Sequence, residues 1–397
     1  LQLARRMSIS RRTLLSASAG SLALLSFRNL GSSPRASTLP APKDSGIRHI
    51  VFVMMESRSF DHLLGWLPGA DGMQATLSYD DGRSVAHSTH PLAPDYQGCG
   101  FKSPDHSYRG GRVEYANGAC DGWLLVNDDY SIGYYTQADL PFLGRAATYW
   151  TVCDRYFAPI MAPTYPNRLY QHCGVTDRLD DSLAPSALPT IWDRLAAAGV
   201  RGRYYFSDLP FLALWGGKYL GITRPYDEFL FDCALGLLPE VAFVDPPFGG
   251  GSIGTSSDDS PFGDIRAGEA FLARTYQAIR SSPAWRSTVL VIAFDEWGGF
   301  FDHVAPEEAP DVEPALRLRG FRVPALVISP WSRRGYVASG TYDHTSVLRM
   351  IEWRWGLPPL ALRDTTANNL AEVLDFATPQ FAAPAFPVAG FTSPRCP

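Results

Sequence analysis

His49-Ile50-Val51-Phe52-Val53-Met54-Met55-Glu56 runs through six apolar residues and stops at an acid. Apolar residues without polar alternation are the pattern of a strand buried on both faces. The pattern recurs at Val241–Val244, which ends in Asp245, at Val289–Phe294, which ends in Asp295, and at Pro324–Ile328, which ends in Ser329. Between these runs lie segments with helical spacing: Ile191 to Ala198, stopped by Gly199; Asp264 to Ser281; and Thr345 to Trp355. Strands alternating with helices predict an α/β fold, a doubly wound and mostly parallel sheet flanked by helices. Such sheets bind ligands at the carboxyl ends of their strands, which is where Glu56 and Asp295 fall.

The 397 residues fit one large α/β unit, and we read residues 39–397 as a single domain. Hydrophobic residues at 46% supply a core, while Gly 35 and Pro 32 make the chain loop-rich. Residues 70–135 and 248–263 are Gly-, Asp- and Ser-rich with weak periodicity, and read as insertions lining the site. No internal repeat is visible. A formal charge of −5 disfavours nonspecific nucleic-acid binding, and no apolar stretch is long enough for a membrane span.

The charge is unevenly placed. Arg5, Arg6, Arg11, Arg12, Arg28 and Arg35 fall in the first 38 residues, which hold no acid. Ser10-Arg11-Arg12-Thr13-Leu14-Leu15, followed by a short apolar run to Phe27, reads as a twin-arginine export signal over residues 1–38. The expected partner of that leader is the twin-arginine export machinery, and the expected location is secreted or periplasmic. An exported chain makes disulfides plausible among Cys99, Cys120, Cys153, Cys173, Cys233 and Cys396. Proximity favours Cys99 with Cys120, and Cys153, set among apolar residues, reads as a buried free thiol. Nothing in the sequence fixes an oligomeric state.

Four groups of residues carry chemistry. Glu56-Ser57-Arg58-Ser59-Phe60-Asp61-His62 concentrates polar groups directly after a buried strand, which is costly without a ligand. Asp295-Glu296 places two acids side by side, and both stay ionised only beside a cation. Hard oxygen donors of this kind suit Mg²⁺, Ca²⁺ or Mn²⁺, with Zn²⁺ also open. Thr164 in Pro163-Thr164-Tyr165-Pro166-Asn167-Arg168 falls at a helix start, where free N–H groups attract phosphate oxygens and stabilise an alkoxide. Asn167, one turn on, could donate to the same oxyanion; an ordinary helix cap is the alternative reading of Thr164. His106 and His344 stand in a turn and at a helix start, where either could donate to a phosphoryl oxygen or protonate a leaving group.

Four blocks together carry a resemblance: HIVFVMMESRSFDHLLG (His49–Gly65), CDRYFAPIMAPTYPNRLY (Cys153–Tyr170), VLVIAFDEWGGFFDH (Val289–His303) and YDHTSVLRMIEWRWG (Tyr342–Gly356). Their order and intervals resemble the bacterial phosphoesterase family that contains secreted phospholipases C and an acid phosphatase, within the alkaline phosphatase superfamily. The resemblance implies an alkaline-phosphatase-like fold and a metal-dependent phosphoric ester hydrolase acting through a phosphothreonine. It matches Glu56, Ser57, Thr164, Asp295 and Glu296 to the metal-binding positions. Thr164 matches the nucleophile, and Asn167, His106 and His344 match positions around the transferred phosphoryl group. Three departures stand out. Ser57 replaces an Asn, Ser260 in Asp258-Asp259-Ser260-Pro261-Phe262 replaces a His, and Trp297 replaces a frequent His, where an aromatic lid over an apolar substrate portion is expected.

The favoured expectation is a phospholipase C-like phosphodiesterase, whose substrate is a phosphate ester such as a phospholipid head group. An acid phosphatase is the alternative. The sequence ends soon after the fourth block, so a form without further C-terminal domains, serving smaller esters, is expected. A sulfatase would require Cys or Ser where Thr164 stands. A non-catalytic phosphate-ester binding protein is the distant reading, motivated by Ser57 and Ser260.

Overall fold

Strand β1, His49–Met55, is buried at every position but its first, as a run without alternation requires when both faces of a sheet are covered. The structure, a computed structural model, describes residues 39–397; the expected export signal at 1–38 lies outside the described residues. Seven further strands complete the main sheet: β2 (Thr151–Cys153), β3 (Gly202–Phe206), β4 (Thr223–Pro225), β5 (Val241–Val244), β6 (Thr288–Phe294), β7 (Ala325–Ile328) and β8 (Tyr336–Ala338). Their order across the sheet is β8-β2-β7-β6-β1-β5-β3-β4. The fold is α/β, as the alternating runs predict.

One strand runs against the rest. β7 pairs antiparallel with both β6 and β2, while every other neighbouring pair in this sheet is parallel. The cause lies in the connection, because residues 295–324 form no α-helix and a parallel return normally needs a helical crossover. The chain turns back at the carboxyl edge instead. The apolar run at Pro324–Ile328 is thus a strand of the predicted sheet with the direction reversed, and the sheet is mixed but mostly parallel.

Helices cover the sheet. They are α1 (Phe60–Leu64), α2 (Gly110–Tyr115), α3 (Trp123–Val126), α4 (Leu143–Tyr149), α5 (Thr164–Cys173), α6 (Ile191–Ala197), α7 (Tyr226–Leu235), α8 (Ile265–Arg280), α9 (His344–Trp355) and α10 (Leu362–Thr366). α8 buries Ile265, Gly268, Leu272, Thr275, Tyr276 and Ile279 at three- and four-residue steps, the stripe of a helix lying on a core. Its Asp264 cap accepts from Arg266 N, satisfying one of the free N–H groups of the first turn.

The last residues have no regular structure but are tied along α8 and its surroundings. Tyr276 donates to Pro384 O, Trp285 to Phe381 O and Arg145 to Pro387 O. The strap ends in a disulfide between Cys99 and Cys396. This corrects the expected Cys99–Cys120 pair. Cys120 is buried in a separate cluster with Tyr79, Trp123 and Trp297, while Cys99 faces the strap that returns from the far end of the chain. Cys153 is a buried free thiol, as are Cys120, Cys173 and Cys233. Among the described residues no helix is long and apolar enough to cross a membrane.

Candidate active site

β1 and β6 are neighbours in register, with Met55 opposite Phe294, so the residues that follow them emerge side by side. Ser57 N donates to Asp295 Oδ1 at 2.9 Å and thereby locks the two strand ends together. Thr164 is the first residue of α5, and Pro166 in that first turn sacrifices no helical hydrogen bond. The Thr164 hydroxyl donates to Glu56 Oε2 at 2.9 Å. Glu56 Oε1 is held by Arg168 Nε at 3.0 Å. Residues four apart lie on one face of a helix, so α5 presents the hydroxyl and the guanidinium together. Arg168 is fully buried and also lies 3.0 Å from Asp245 and 3.7 Å from Asp295. Burial opposes its charge, but Asp245, Glu56 and Asp295 outweigh that and hold its pKa well above the ordinary value.

A single guanidinium therefore faces Glu56, Asp245 and Asp295, and Glu296 follows Asp295 directly in the chain. Burial, then the charges of Glu56 and Glu296, push the Asp295 carboxyl up; burial likewise raises Glu296. Asp295 Oδ1 accepts from Ser57 N and Glu296 N, and Glu296 Oε2 accepts from Gly298 N. The other oxygens, Asp295 Oδ2 and Glu296 Oε1, are buried without a hydrogen-bond partner. Orphaned carboxylate oxygens in an acidic surplus are the donor set of a hard divalent cation. Only the Asp295 and Glu296 oxygens are left open in this way, since Glu56 uses Oε2 for Thr164 and Oε1 for Arg168, and among the described residues these three acids do not bring one ligand atom each within 4.8 Å of the others. Gly298 closes this corner at φ 68, and a Cβ there would meet Ser57 O at 2.0 Å.

A second set, Asp61, Asp302 and His303, brings one ligand atom from each residue within 4.8 Å of the others. It meets the ligand count of a metal site, yet its lone pairs are engaged. Arg322 donates to Asp302 Oδ1 at 2.9 Å and to Asp61 Oδ1 at 3.1 Å. Asp61 Oδ2 meets both the backbone N–H and Nδ1 of His303. With an internal cation at its centre, this set serves as a strut under the loops.

The remaining expected residues divide. The His106 imidazole is half-buried, with Nδ1 on Pro104 O at 2.9 Å. Burial would lower its pKa, but the Glu296 charge and the Pro104 carbonyl outweigh that and raise it. The Glu296 carboxylate thus acts on the His106 ring. His344 lies beneath them, with Nε2 donating to Asp295 O at 2.8 Å and Nδ1 3.2 Å from the Tyr156 hydroxyl. Burial lowers its pKa to about 4, so it supports the β6 end as a neutral ring rather than reaching a phosphoryl group. Asn167 is likewise turned inward, since its amide donates to Ala162 O and Pro163 O and accepts from Ile160 N. The expected donation to an oxyanion is replaced by shaping the turn that carries Thr164. Trp297 is fully buried, donating to Glu114 at 2.7 Å and packing on Phe321; it anchors the α2–α3 insertion and forms no lid. Ser260 bonds Ser256.

Sequence reasoning did not single out Arg168 or Asp245. Arg168 stood in the quoted Thr164 block, and Asp245 ended an apolar run as Glu56 and Asp295 did, so the signal for each was present.

The model of the Phosphoesterase family matches residues 47–358. A non-hemolytic phospholipase C of Pseudomonas aeruginosa is 29% identical over 94% of this chain and 64% of its own length. Phospholipase C B of Mycobacterium tuberculosis is 29% identical over 84% of this chain and 78% of its own. Among solved structures, a phosphonate monoester hydrolase of Agrobacterium radiobacter overlaps 84% of this chain and 78% of its own at a TM-score of 0.42 and 12% identity. The chain thus spans less than two thirds of the Pseudomonas relative.

Proposed function

Because this chain belongs to the Phosphoesterase family, we propose that it is a metal-dependent phosphoric ester hydrolase, a phospholipase C-like phosphodiesterase working through a phosphothreonine. The observation that carries this is the Thr164 hydroxyl at the N-terminus of α5, hydrogen-bonded to Glu56 beside the orphaned oxygens of Asp295 and Glu296.

Glu56, Asp295 and Glu296 would hold a divalent cation with Thr164 and Ser57, and a bound cation supplies a lowered hydroxyl pKa and compensation for developing charge. The chain's own groups do the rest. Glu56 Oε2 accepts the Thr164 proton while Arg168 fixes the carboxylate through its other oxygen. The Thr164 oxygen attacks phosphorus, the alcohol departs, and water then cleaves the phosphothreonine. In the first turn of α5, Tyr165 N is taken by Asp181 and Pro166 has no N–H, which leaves the Thr164 N–H as the backbone donor to a phosphoryl oxygen. His106 Nε2, on a ring whose Nδ1 is spoken for, is the donor for the leaving oxygen.

The Pseudomonas aeruginosa relative is named a phospholipase C, which supports a phospholipid head-group ester as substrate. A Cys99–Cys396 disulfide and the twin-arginine leader support an extracytoplasmic location reached through that export machinery. The test is p-nitrophenylphosphorylcholine hydrolysis by the wild type, by the wild type with chelator, and by Thr164→Ala. Loss of at least about a thousandfold in the variant, and a chelator effect reversed by added metal, are expected. Equal rates in all three would overturn both nucleophile and metal.

A further inference from the structure

Glu114, in α2, is fully buried, and each of its carboxyl oxygens is taken by an uncharged donor. Trp297 Nε1 donates to Oε2 and Asn127 Nδ2 donates to Oε1, both at 2.7 Å. The first bond reaches the acid side of the site, because Trp297 follows Glu296 directly. The second reaches the histidine side. Asn127 Oδ1 accepts from Asp105 N at 2.6 Å, and the next residue is His106, whose Nδ1 rests on Pro104 O. The two sides already touch at Gly299, where a Cβ would meet Pro104 at 2.6 Å. Burying a carboxyl between uncharged partners is costly, and burial raises the Glu114 pKa well above its ordinary value. A carboxyl nevertheless offers an acceptor to each donor, where Gln would turn its own N–H₂ toward one of them.

We propose that Glu114 is a positioning residue for the leaving-group proton: through Trp297 and Asn127 it fixes the turn that carries His106 against the strand end that carries Glu296. The inference rests on the phosphoesterase reading above, in which His106 serves the leaving oxygen. In that step the Thr164 oxygen forms its bond to phosphorus. The bond from phosphorus to the alcohol oxygen breaks with its electron pair, and that oxygen takes the proton from His106 Nε2. The transfer works only with Nε2 in hydrogen-bond reach of the alcohol oxygen, and residues 102–106 have no regular structure of their own to hold the ring there. Asn127 holds the peptide just before the histidine, and Glu114 ties Asn127 to the end of β6. An alkoxide needs the proton far more than a p-nitrophenolate, whose charge is spread over the ring and the nitro group. A displaced His106 is therefore felt by an alkyl ester and scarcely by the aryl one.

Glu114→Gln keeps the shape and one acceptor. Asn127→Ala, at a half-buried position, cuts the arm to Asp105 and leaves the Trp297 bond in place. Each is compared with the wild type, and again in a His106→Ala background, on the p-nitrophenyl and n-butyl esters of phosphorylcholine, with the alcohol released in the first turnover as the readout. The expected result is butanol release slowed about tenfold to a hundredfold and p-nitrophenol release changed by no more than about threefold. KM for both esters stays unchanged, and neither substitution slows butanol release further in the His106→Ala background. Equal losses on both esters would make the bridge a strut for the α2–α3 insertion and overturn the proposal, as would a selective loss that persists in the His106→Ala background. A His106→Ala enzyme that slows on both esters alike would remove the leaving-oxygen role from His106 and the positioning role from Glu114 with it. Absence of turnover of either ester by the wild type would overturn the hydrolase reading itself.

Discussion

Ser57 holds a φ of 61, a left-handed backbone that Asn accepts more readily than Ser. Its N–H is needed by Asp295, so the conformation is imposed by the strand end. Ser57→Asn relieves that strain and adds a hard amide oxygen beside the acids. We expect it to bind Mn²⁺ about tenfold more tightly by titration calorimetry; unchanged affinity would mean that position 57 does not reach the ion. His344 makes a pH prediction. Its folded pKa of about 4 lies below the ordinary 6.5 because of burial, so its contribution is full above pH 6.5 and is lost as pH falls through 4. That loss amounts to about 3 kcal/mol. His344→Gln can keep a donor for Asp295 O, so its urea midpoint should fall less than that of the wild type between pH 7 and pH 4.5; parallel falls would contradict this. At this scale the sequence showed acids wherever they ended an apolar run. It did not show where a polar side chain turns: Asn167 faces backbone carbonyls, and Asp181 lies in a loop with no periodicity to mark it.

Elements were legible where burial writes a pattern. β1, β5, β6 and β7 coincide with the apolar runs, and α8 with its amphipathic spacing. Strand direction was not legible from the run itself, because Pro324–Ile328 is equally apolar read either way; the missing helix between residues 295 and 324 was the available sign. β2, β4 and β8, each three residues long, are too short for any period to show. The disulfide was misread because sequence distance stood in for spatial distance, whereas the bond spans 297 residues. Closing so long a loop restricts the unfolded chain strongly, and Cys396→Ser should cost about 2–5 kcal/mol. Thermal unfolding of this variant should match that of reduced wild type, since the four remaining thiols are buried. A wild type indifferent to reductant would contradict the strap's role.

Across the whole molecule, the net charge of −5 conceals an uneven distribution. The first 38 residues are basic, while buried acids gather at the carboxyl edge of the sheet, where Glu56, Asp245 and Asp295 share one guanidinium and Glu296 lies buried beside Asp295. That concentration would destabilise a fold with no ligand to receive it, and it is the reason the site rather than the surface explains the acids. The account depends most on Thr164 as the group that carries the phosphoryl from the departing alcohol to water. The most direct measurement is peptide mass mapping of enzyme quenched in acid during turnover of p-nitrophenylphosphorylcholine. The account predicts one phosphorylcholine group, with p-nitrophenol released, on the peptide containing Thr164. A phosphoryl group on any other residue, or full turnover by Thr164→Ala, would contradict it.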